Sequence, residues 1–477
     1  MKATANIRNL RMFAALYLTM VYSKGVLPKA AWLDDWVTLI DPSAHRTHAI
    51  KDGRIVYGWV IDILYSLFGD LNSIFFIRIF GLIGIIFTCD FFIKKLVTSE
   101  KFISLYIATL FSFTIPAFQF AAHAATFFVL SWAAFLALQG YNFFSKEESK
   151  LKLVGILFGI ISILSYPLMF FYVIPFTYIL WFISERNIRI LVKQMINLSK
   201  YMACSFILAA ICVRLYLMFN NLALNARVEL VSPTDLPVKL YWFLTRPMLL
   251  TYRPFLVDSP KTLEAILVSG FFVLLLVTLF YLKFRSIKVV VLQLLVFNLV
   301  AAASLAPLFV ASQNEIELYF ILSSSWLFVF LLVYLFLDLV NLATKFSLKT
   351  RFKIFGTVSS LLLFFGIFTV NDRFNNFLAP VEKSTISFLK SQLYNCTSAE
   401  LSSGISILPR TKPWKTYENL GVFSQSTDLQ SSWVPISAVQ VVLRDLDLGL
   451  NSNVSVNWGS SNNADCKVYL DQFNRLK

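Results

Sequence analysis

Two adjacent carboxylates near the start of the chain are the residues best suited to chemistry. They are Asp34 and Asp35, and they lie between two tryptophans in the stretch Trp32-Leu33-Asp34-Asp35-Trp36. A carboxylate can take a proton from a hydroxyl group as a new bond forms, and its oxygens can also bind a divalent metal. The tryptophan rings could stack on a sugar or anchor the segment at a membrane surface. Two solvated loop acids would explain the same pattern, so spacing alone leaves the role of the pair open.

Basic residues and histidines follow the acidic pair closely. Arginine and lysine near a membrane can bind a phosphate, arginine through two parallel hydrogen bonds, but they can equally contact lipid headgroups. The candidates for phosphate binding, in two separate polar stretches, are Arg46, Lys51, Arg54, Arg246 and Arg253. The candidates for contacts with a substrate are Trp32, Trp36, His45, His48, Glu315 and Glu317.

The composition is that of an integral membrane protein. Of 477 residues, 57% are hydrophobic and only 14% are charged, whereas soluble proteins carry about 25% charged residues. The apolar runs are mostly about 17 to 24 residues long, which suits helices that cross a hydrocarbon core of about 30 Å. The net charge of +15 comes largely from short basic loops between these runs. That distribution is typical of membrane orientation and does not indicate a nucleic-acid partner.

Residues 1–370 are predicted to form a polytopic α-helical transmembrane domain. Lys2, Arg8 and Arg11 place the N-terminus in the cytoplasm. With every basic loop on that side, the pattern predicts about eleven transmembrane helices, and roughly nine to twelve are compatible with it. A cleaved signal peptide is the alternative interpretation of the first apolar run.

Two polar segments then lie outside the cytoplasm, residues 28–54 and residues 220–261, and both are predicted to be loops. Residues 55–68 are apolar, but they are too short to span and contain Asp62. They are predicted to form a helix that lies at the membrane interface.

The last part of the chain, residues 371–477, is predicted to be a small periplasmic α+β domain. Its acidic and basic residues nearly balance, unlike those of the cytoplasmic loops. Helical spacing of apolar residues indicates one amphipathic helix over 381–393, and alternating apolar residues indicate strands that begin at Val439, Val454 and Cys466. A domain of this size in an oxidising compartment could form a Cys396–Cys466 disulfide.

Several well-known motifs are missing from the sequence. It contains no Walker A loop, no G-x-G-x-x-G and no H-E-x-x-H. It also contains no C-x-x-C pair or Cys/His cluster with zinc spacing. Nucleotide hydrolysis and zinc chemistry therefore have no support, and no cofactor is predicted.

The order of these features resembles a known family. A basic N-terminus, one span, an outer segment that opens with Trp32-Leu33-Asp34-Asp35-Trp36, then Asp52-Gly53-Arg54 and many spans resemble the bacteriophage-type O-antigen glucosyltransferases. These are the serotype-converting Gtr type II glucosyltransferase family, similar in plan to the GT-C polytopic glycosyltransferases. The resemblance covers residues 1–370 in architecture but only the first outer segment in motif.

The resemblance implies a specific reaction in the bacterial inner membrane, with the active site facing the periplasm. Glucose would pass from undecaprenyl-phosphate glucose to a sugar hydroxyl of lipid-linked O-antigen, with inversion, as part of lipopolysaccharide modification. Asp34 or Asp35 would be the base, and Arg54 with Arg46 or Lys51 would stabilise the lipid-phosphate leaving group. A metal is not favoured, since cationic side chains can hold a single phosphate. The implied partners are an undecaprenyl-phosphate glucosyltransferase, which makes the donor, and a flippase, which delivers it.

Two other functions fit a polytopic protein of this kind. A flippase or transporter of lipid-linked glycans would place functional charge near the membrane midplane, where the candidates are Arg78, Asp90 and Arg214. An O-antigen polymerase or ligase would depend on the basic residues of the second outer segment, between Arg227 and Arg253.

Overall fold

The computed structural model is mostly helical. It describes residues 2–27, 34–96, 101–114, 124–183, 188–225, 230–252, 262–312, 321–342, 348–373, 379–408, 433–446, 454–458 and 465–470.

Seven of the described helices are long and apolar enough to cross a membrane. They are α5 (Ile74–Leu96), α7 (Ala124–Phe144), α11 (Ile188–Phe219), α14 (Thr262–Phe284), α15 (Ile287–Ser304), α17 (Leu322–Leu342) and α18 (Leu348–Arg373). This is the pattern of a polytopic helical membrane protein, while the count of about eleven spans stays a prediction.

Further helices accompany these seven. The first of them is α1 (Lys2–Val26), predicted as the first span. Several shorter helices follow between the long ones: α6 (Phe102–Ser112), α8 (Ser149–Ser165), α9 (Pro167–Phe170), α10 (Val173–Ile183) and α16 (Ala306–Val310). The break between α8 and α9 has a physical cause. Tyr166 adopts an extended backbone between α8 and α9, because a residue that precedes proline is disfavoured in the helical region.

The prediction that residues 28–54 form a loop is wrong for the part described. Residues 34–51 form two short helices, α2 (Asp34–Ile40) and α3 (Pro42–Lys51). Asp41 caps α3, since its carboxylate accepts a hydrogen bond from Ala44 N at 2.8 Å, and Pro42 occupies the first turn, where proline is tolerated. The polar composition of α3 hides the apolar periodicity by which a helix is usually recognised.

The helix predicted over residues 55–68 is confirmed as α4 (Ile55–Leu67). Its 13 residues reach about 20 Å, less than the thickness of a bilayer core. The second predicted loop, residues 220–261, is also partly helical. It contains a 3₁₀ turn at Pro233–Asp235, α12 (Leu236–Phe243), a π-helical stretch at Leu244–Met248 and α13 (Leu249–Thr251).

Helices α5 and α7 approach each other closely through glycines. A Cβ atom added at Gly81 would lie 2.5 Å from Cδ1 of Phe127, and one at Gly84 would lie 2.8 Å from Cβ of Ser131. Because these contacts leave no room for a side chain, glycine is required for the two helices to pack at this distance. The packing brings the first turns of α5 beside the start of α7.

The C-terminal part combines helices with a small sheet. Three parallel strands are arranged in the order β2-β1-β3, with β1 at Ile405–Leu408, β2 at Val456–Trp458 and β3 at Cys466–Tyr469. The strands predicted to begin at Val454 and Cys466 and the helix predicted over 381–393 are confirmed, the helix as α19 (Ala379–Tyr394). The predicted disulfide is also present, with the Cα atoms of Cys396 and Cys466 5.7 Å apart.

The prediction of a strand that begins at Val439 is wrong. These residues belong to the helix α21 (Trp433–Asp445). A further short helix of this part, α20 (Ser398–Ser403), precedes β1. Val439 and Val442 are both fully buried, a spacing that lies on one helical face. The run of valines indicated a strand because β-branched residues favour sheets, but packing of that face into the core decides the outcome.

Candidate functional site

Asp35 is the centre of the candidate site. It lies in the first turn of α2, and only 1% of its surface is exposed. Oδ1 accepts hydrogen bonds from the Tyr65 hydroxyl at 2.5 Å and from Ala125 N at 3.4 Å, and Oδ2 accepts one from Ala124 N at 3.1 Å. Ala124 and Ala125 are the first two residues of α7, whose initial N–H groups have no partner inside the helix. The carboxylate therefore caps α7 from another part of the chain.

A buried arginine completes the surroundings of Asp35. Arg78 Nη2 lies 3.7 Å from Asp35 Oδ2, and the Arg78 side chain is fully buried. Arg78 belongs to the second turn of α5, which lies beside the start of α7 because of the glycine contacts described above. The positive end of the α7 dipole and the guanidinium both stabilise negative charge here. They offset the large cost of removing a carboxylate from water.

The pKa of Asp35 reflects these opposing effects. Burial raises the pKa of this carboxyl above its ordinary value, whereas the charge of Arg78 and the hydrogen bonds from Tyr65 and the α7 amides lower it, so that the net shift is upward. A carboxylate offers about four acceptor positions. Tyr65, Ala124, Ala125 and Arg78 all contact these oxygens, so that Asp35 is held firmly by its surroundings.

The acidic pair is only partly described. Asp34 opens α2, but its side chain lies outside the described residues, as does Trp32. The burial of Trp36 contradicts the prediction that this residue contacts a substrate. Its side chain is completely buried in the core, so the expectation that it stacks on a sugar is wrong.

His45 connects the three short helices. Its Nδ1 lies 3.1 Å from Thr38 Oγ1 on α2, and its Nε2 lies 2.9 Å from the Tyr57 hydroxyl on α4. Since both ring nitrogens have hydroxyl partners within the protein, His45 holds α2, α3 and α4 together. A substrate-binding role, predicted from the sequence, is not needed to explain it.

Arg46 lies at an aromatic surface of α4. Its Nη1 donates to Asp62 Oδ2 at 2.5 Å, and its guanidinium carbon lies 4.4 Å from the centre of the Trp59 ring. Trp59 is 42% exposed, and its Nε1 donates to the Tyr216 hydroxyl at 3.0 Å. Guanidinium has five N–H donors, and among the described residues Asp62 takes one of them, so Arg46 can bind a further oxygen ligand. The exposed ring of Trp59 was not singled out from the sequence, because it lies within an apolar run.

Arg54 belongs to a second polar cluster, which joins residues 28–54 to residues 220–261. It pairs with the buried Asp52, and Asn225 Nδ2 donates to Asp52 Oδ1 at 2.7 Å. The Arg54 guanidinium also lies over the ring of Tyr57 at 5.2 Å and that of Tyr166 at 5.5 Å. Asn225 and Tyr166 were not predicted, since nothing in their local sequence links them to residues more than a hundred positions away.

Two more predicted residues flank this cluster. His48 Nε2 lies 3.8 Å from Asp52 Oδ2 and the His48 side chain is 57% exposed, whereas Lys51 is half-buried and its carbonyl accepts from Asn225 N at 3.0 Å. Gly53 makes the turn between α3 and α4 with a φ of +76°, a left-handed conformation that glycine adopts without strain.

Other predicted residues are not brought together with this site. Arg246 is exposed in the π-helical stretch, which packs with α15 and α16 in a separate small core, and no described contact links it to Asp35 or Arg54. Arg253, Glu315 and Glu317 lie outside the described residues. Within the described ranges, no group of three or more His, Cys, Asp or Glu side chains is arranged to hold a metal ion.

Comparison with known proteins adds no assignment. No protein-family model matches the chain, and no curated protein matches it.

Proposed function

We propose that this protein is a polytopic membrane glucosyltransferase that takes glucose from undecaprenyl-phosphate glucose and transfers it to a sugar hydroxyl of lipid-linked O-antigen. The sugar, the lipid carrier and the acceptor follow from the resemblance of residues 32–36 and 52–54 to the serotype-converting family. The observation that carries the proposal is the buried Asp35–Arg78 pair, which holds the start of α2 against α5 and α7. A fixed acidic segment, followed in the chain by Arg46 of α3 and by Arg54 just before α4, suits transfer from a phosphate-linked donor.

The two acids have different roles in this proposal. Asp35 is surrounded by donors and is 1% exposed, so it serves as a positioning residue for α2. Asp34, the neighbouring carboxylate, takes the proton from the acceptor hydroxyl. This assignment narrows the choice between the two acids, which the sequence left open.

The bond changes balance in one displacement step. The acceptor oxygen forms a bond to the anomeric carbon of glucose while its proton passes to Asp34. The bond between that carbon and the phosphate oxygen breaks, and the electron pair leaves with the lipid phosphate. Attack from the face opposite the leaving group inverts the anomeric carbon. Arg54 and Arg46 stabilise the charge that develops on the departing phosphate.

The placement of charge argues against a transporter. Arg78 lies four residues from the start of α5 and Asp90 six residues from its end, about 6 and 9 Å from the respective helix ends. Asp90 pairs with Arg11 and with Lys94 at 2.8 Å, and Arg214 is exposed. These charges therefore do not mark a pathway through the middle of the membrane.

The deciding experiment measures transfer of labelled glucose from undecaprenyl-phosphate glucose to lipid-linked O-antigen in membranes, with and without a chelator. Wild type is compared with Asp34→Asn, Asp35→Asn and a control, Asp235→Asn, which alters an exposed carboxylate of the second outer segment. Thermal unfolding is measured on the same samples.

We expect Asp34→Asn to abolish transfer without changing the unfolding temperature, and Asp35→Asn to lower both. Transfer should not respond to the chelator. If Asp35→Asn is inactive but fully stable while Asp34→Asn remains active, Asp35 is the base and Asp34 is not. Full transfer by both variants would remove the acidic pair from the reaction. An inactive wild type, correctly inserted, would contradict the proposed function.

A further inference from the structure

An arginine of the C-terminal part contacts the helix that carries the acidic pair. Arg444, in the last turn of α21, donates from Nη2 to the carbonyl oxygen of Leu39 at 2.7 Å, across 405 positions of sequence. Leu39 lies in the last turn of α2, where carbonyl groups have no partner within the helix. A cation at this end also interacts favourably with the helix dipole. Arg444 thus caps α2 at the end opposite Asp34 and Asp35.

The contact belongs to a larger packed surface. Helix α21 packs directly against α2, and both helices bury apolar residues in the same continuous core, among them Trp36, Leu39, Val439 and Val442. The hydrogen bond from Arg444 therefore links two helices that are already in contact, which limits how far α2 can slide along α21.

Arg444 also interacts with the segment that leads into α5. The carboxylate of Asp70 attracts its guanidinium, and the same carboxylate accepts a hydrogen bond from Ser73 N at 2.8 Å, immediately before α5 begins. Arg444 consequently lies where the helix of Asp35 ends and the helix of Arg78 begins. Leu39 is four residues from Asp35, which is about one helical turn.

We propose that Arg444 is a positioning residue through which the C-terminal domain sets α2 relative to α5, and thereby sets the geometry of the acidic pair. The catalytic part of this inference rests on the proposed function, whereas the structural part does not. A misplacement of about 1 Å at a reacting group can reduce a rate about a hundredfold. The C-terminal domain is in this sense a component of the active site.

The test compares two variants of Arg444 with one control. Arg444→Met keeps the apolar stem of the side chain and removes the charge and the donors, whereas Arg444→Lys keeps the charge and a donor. Lys467→Ala removes an exposed basic residue from β3 of the same domain. Each full-length protein is assayed for kcat and KM with undecaprenyl-phosphate glucose, and for hydrogen–deuterium exchange of peptides that cover residues 34–40 and 149–165.

We expect Arg444→Met to lower kcat roughly ten- to a hundredfold with little change in KM, and to speed exchange in residues 34–40 but not in 149–165. Arg444→Lys should restore most of both properties, and Lys467→Ala should match wild type. Equal behaviour of Arg444→Met and Lys467→Ala would overturn the inference. Faster exchange in residues 149–165 as well would also overturn it, since Arg444 would then only stabilise the fold. If wild type transfers no glucose while Arg444→Met still loosens residues 34–40 selectively, the proposed function fails and the positioning role stands.

Discussion

Arg78 and Asp35 form a buried ion pair between α2 and α5, a helix long enough to cross a membrane, with Nη2 and Oδ2 3.7 Å apart. Neither charge could be buried alone without a large cost in free energy. The pair therefore couples the position of α2 to that of α5. Tyr65 and the first amides of α7 add a third and a fourth element to the same carboxylate.

Removing one member of the pair should destabilise the protein more than removing both. Asp35→Asn removes from the buried Arg78 its ion pair with Asp35, and Arg78→Gln removes the same ion pair from the buried Asp35, each at a cost of about 3 to 5 kcal/mol. The double variant removes both members of the pair and should be more stable than the sum of the two single changes predicts. Thermal unfolding of the four proteins in detergent measures the coupling. Additive losses would show that the pair does not interact.

The stability contributed by Asp35 should depend on pH with a defined sign. Burial raises the pKa of Asp35 above its ordinary value of 3.8, so the folded protein binds this proton more tightly than the unfolded chain does. The contribution is fully present below pH 3.8 and is lost as the pH rises through the folded pKa. The unfolding temperature of wild type minus that of Asp35→Asn should therefore be larger at pH 4 than at pH 7. A difference that grows with rising pH would contradict the upward shift.

Arg54 is expected to bind the phosphate of the donor. Arg54→Gln should raise the KM for undecaprenyl-phosphate glucose roughly tenfold or more, since a hydrogen bond to a charged group contributes about 1.5 to 3 kcal/mol. Arg54→Lys keeps the charge and should lose less. Arg214→Gln, which alters an exposed arginine of α11, is the matched control. A KM that is equal in Arg54→Gln and the control would exclude Arg54 from the donor site.

Two glycines of the first outer segment and α4 should tolerate alanine very differently. At Gly58 a Cβ atom would lie 2.9 Å from the carbonyl oxygen of Arg46, which is backbone and cannot move aside easily. At Gly53 the nearest atoms are 3.8 Å away, in the Val213 side chain, so the cost is only that of a positive φ, about 1 to 2 kcal/mol. Gly58→Ala should therefore lower the unfolding temperature more than Gly53→Ala. Gly270→Ala, where nothing lies within 4 Å, should be neutral, and equal losses at Gly53 and Gly58 would contradict the close approach of α3 and α4.

The disulfide should stabilise the C-terminal part in a manner that reduction can reverse. Cys396 and Cys466 close a loop with a sequence separation of 70, for which the chain-entropy model gives about 4 kcal/mol. Reduction should lower the unfolding temperature of wild type to that of the Cys396→Ser/Cys466→Ser variant and leave the variant unchanged. If reduction shifts both proteins equally, the effect comes from another part of the molecule.

The sequence was sufficient to predict a polytopic helical protein, and it singled out the segment of Asp34 and Asp35 as a hypothesis for the site. Long apolar runs predict helices because the backbone must satisfy its own hydrogen bonds where water is absent. The adjacent acids between the tryptophans were conspicuous because charged residues are rare in such a chain. In the C-terminal part, the helix over 381–393 and two of the strands were predicted correctly from periodicity, whereas the valines of α21 were misleading.

The tertiary structure decided which residues surround the acids. Arg78 and Ala124 lie 43 and 89 positions beyond Asp35, and Arg444 reaches Leu39 across 405. Such contacts follow from helix packing between distant segments, and local sequence carries no signal for them. Packing also buried Trp36, which the sequence placed beside the substrate. The sequence by itself determined that this chain enters a membrane as helices and presents an acidic segment; only the fold determined that Asp35 is held by α5 and α7, because burial and ion pairing are properties of the assembled core.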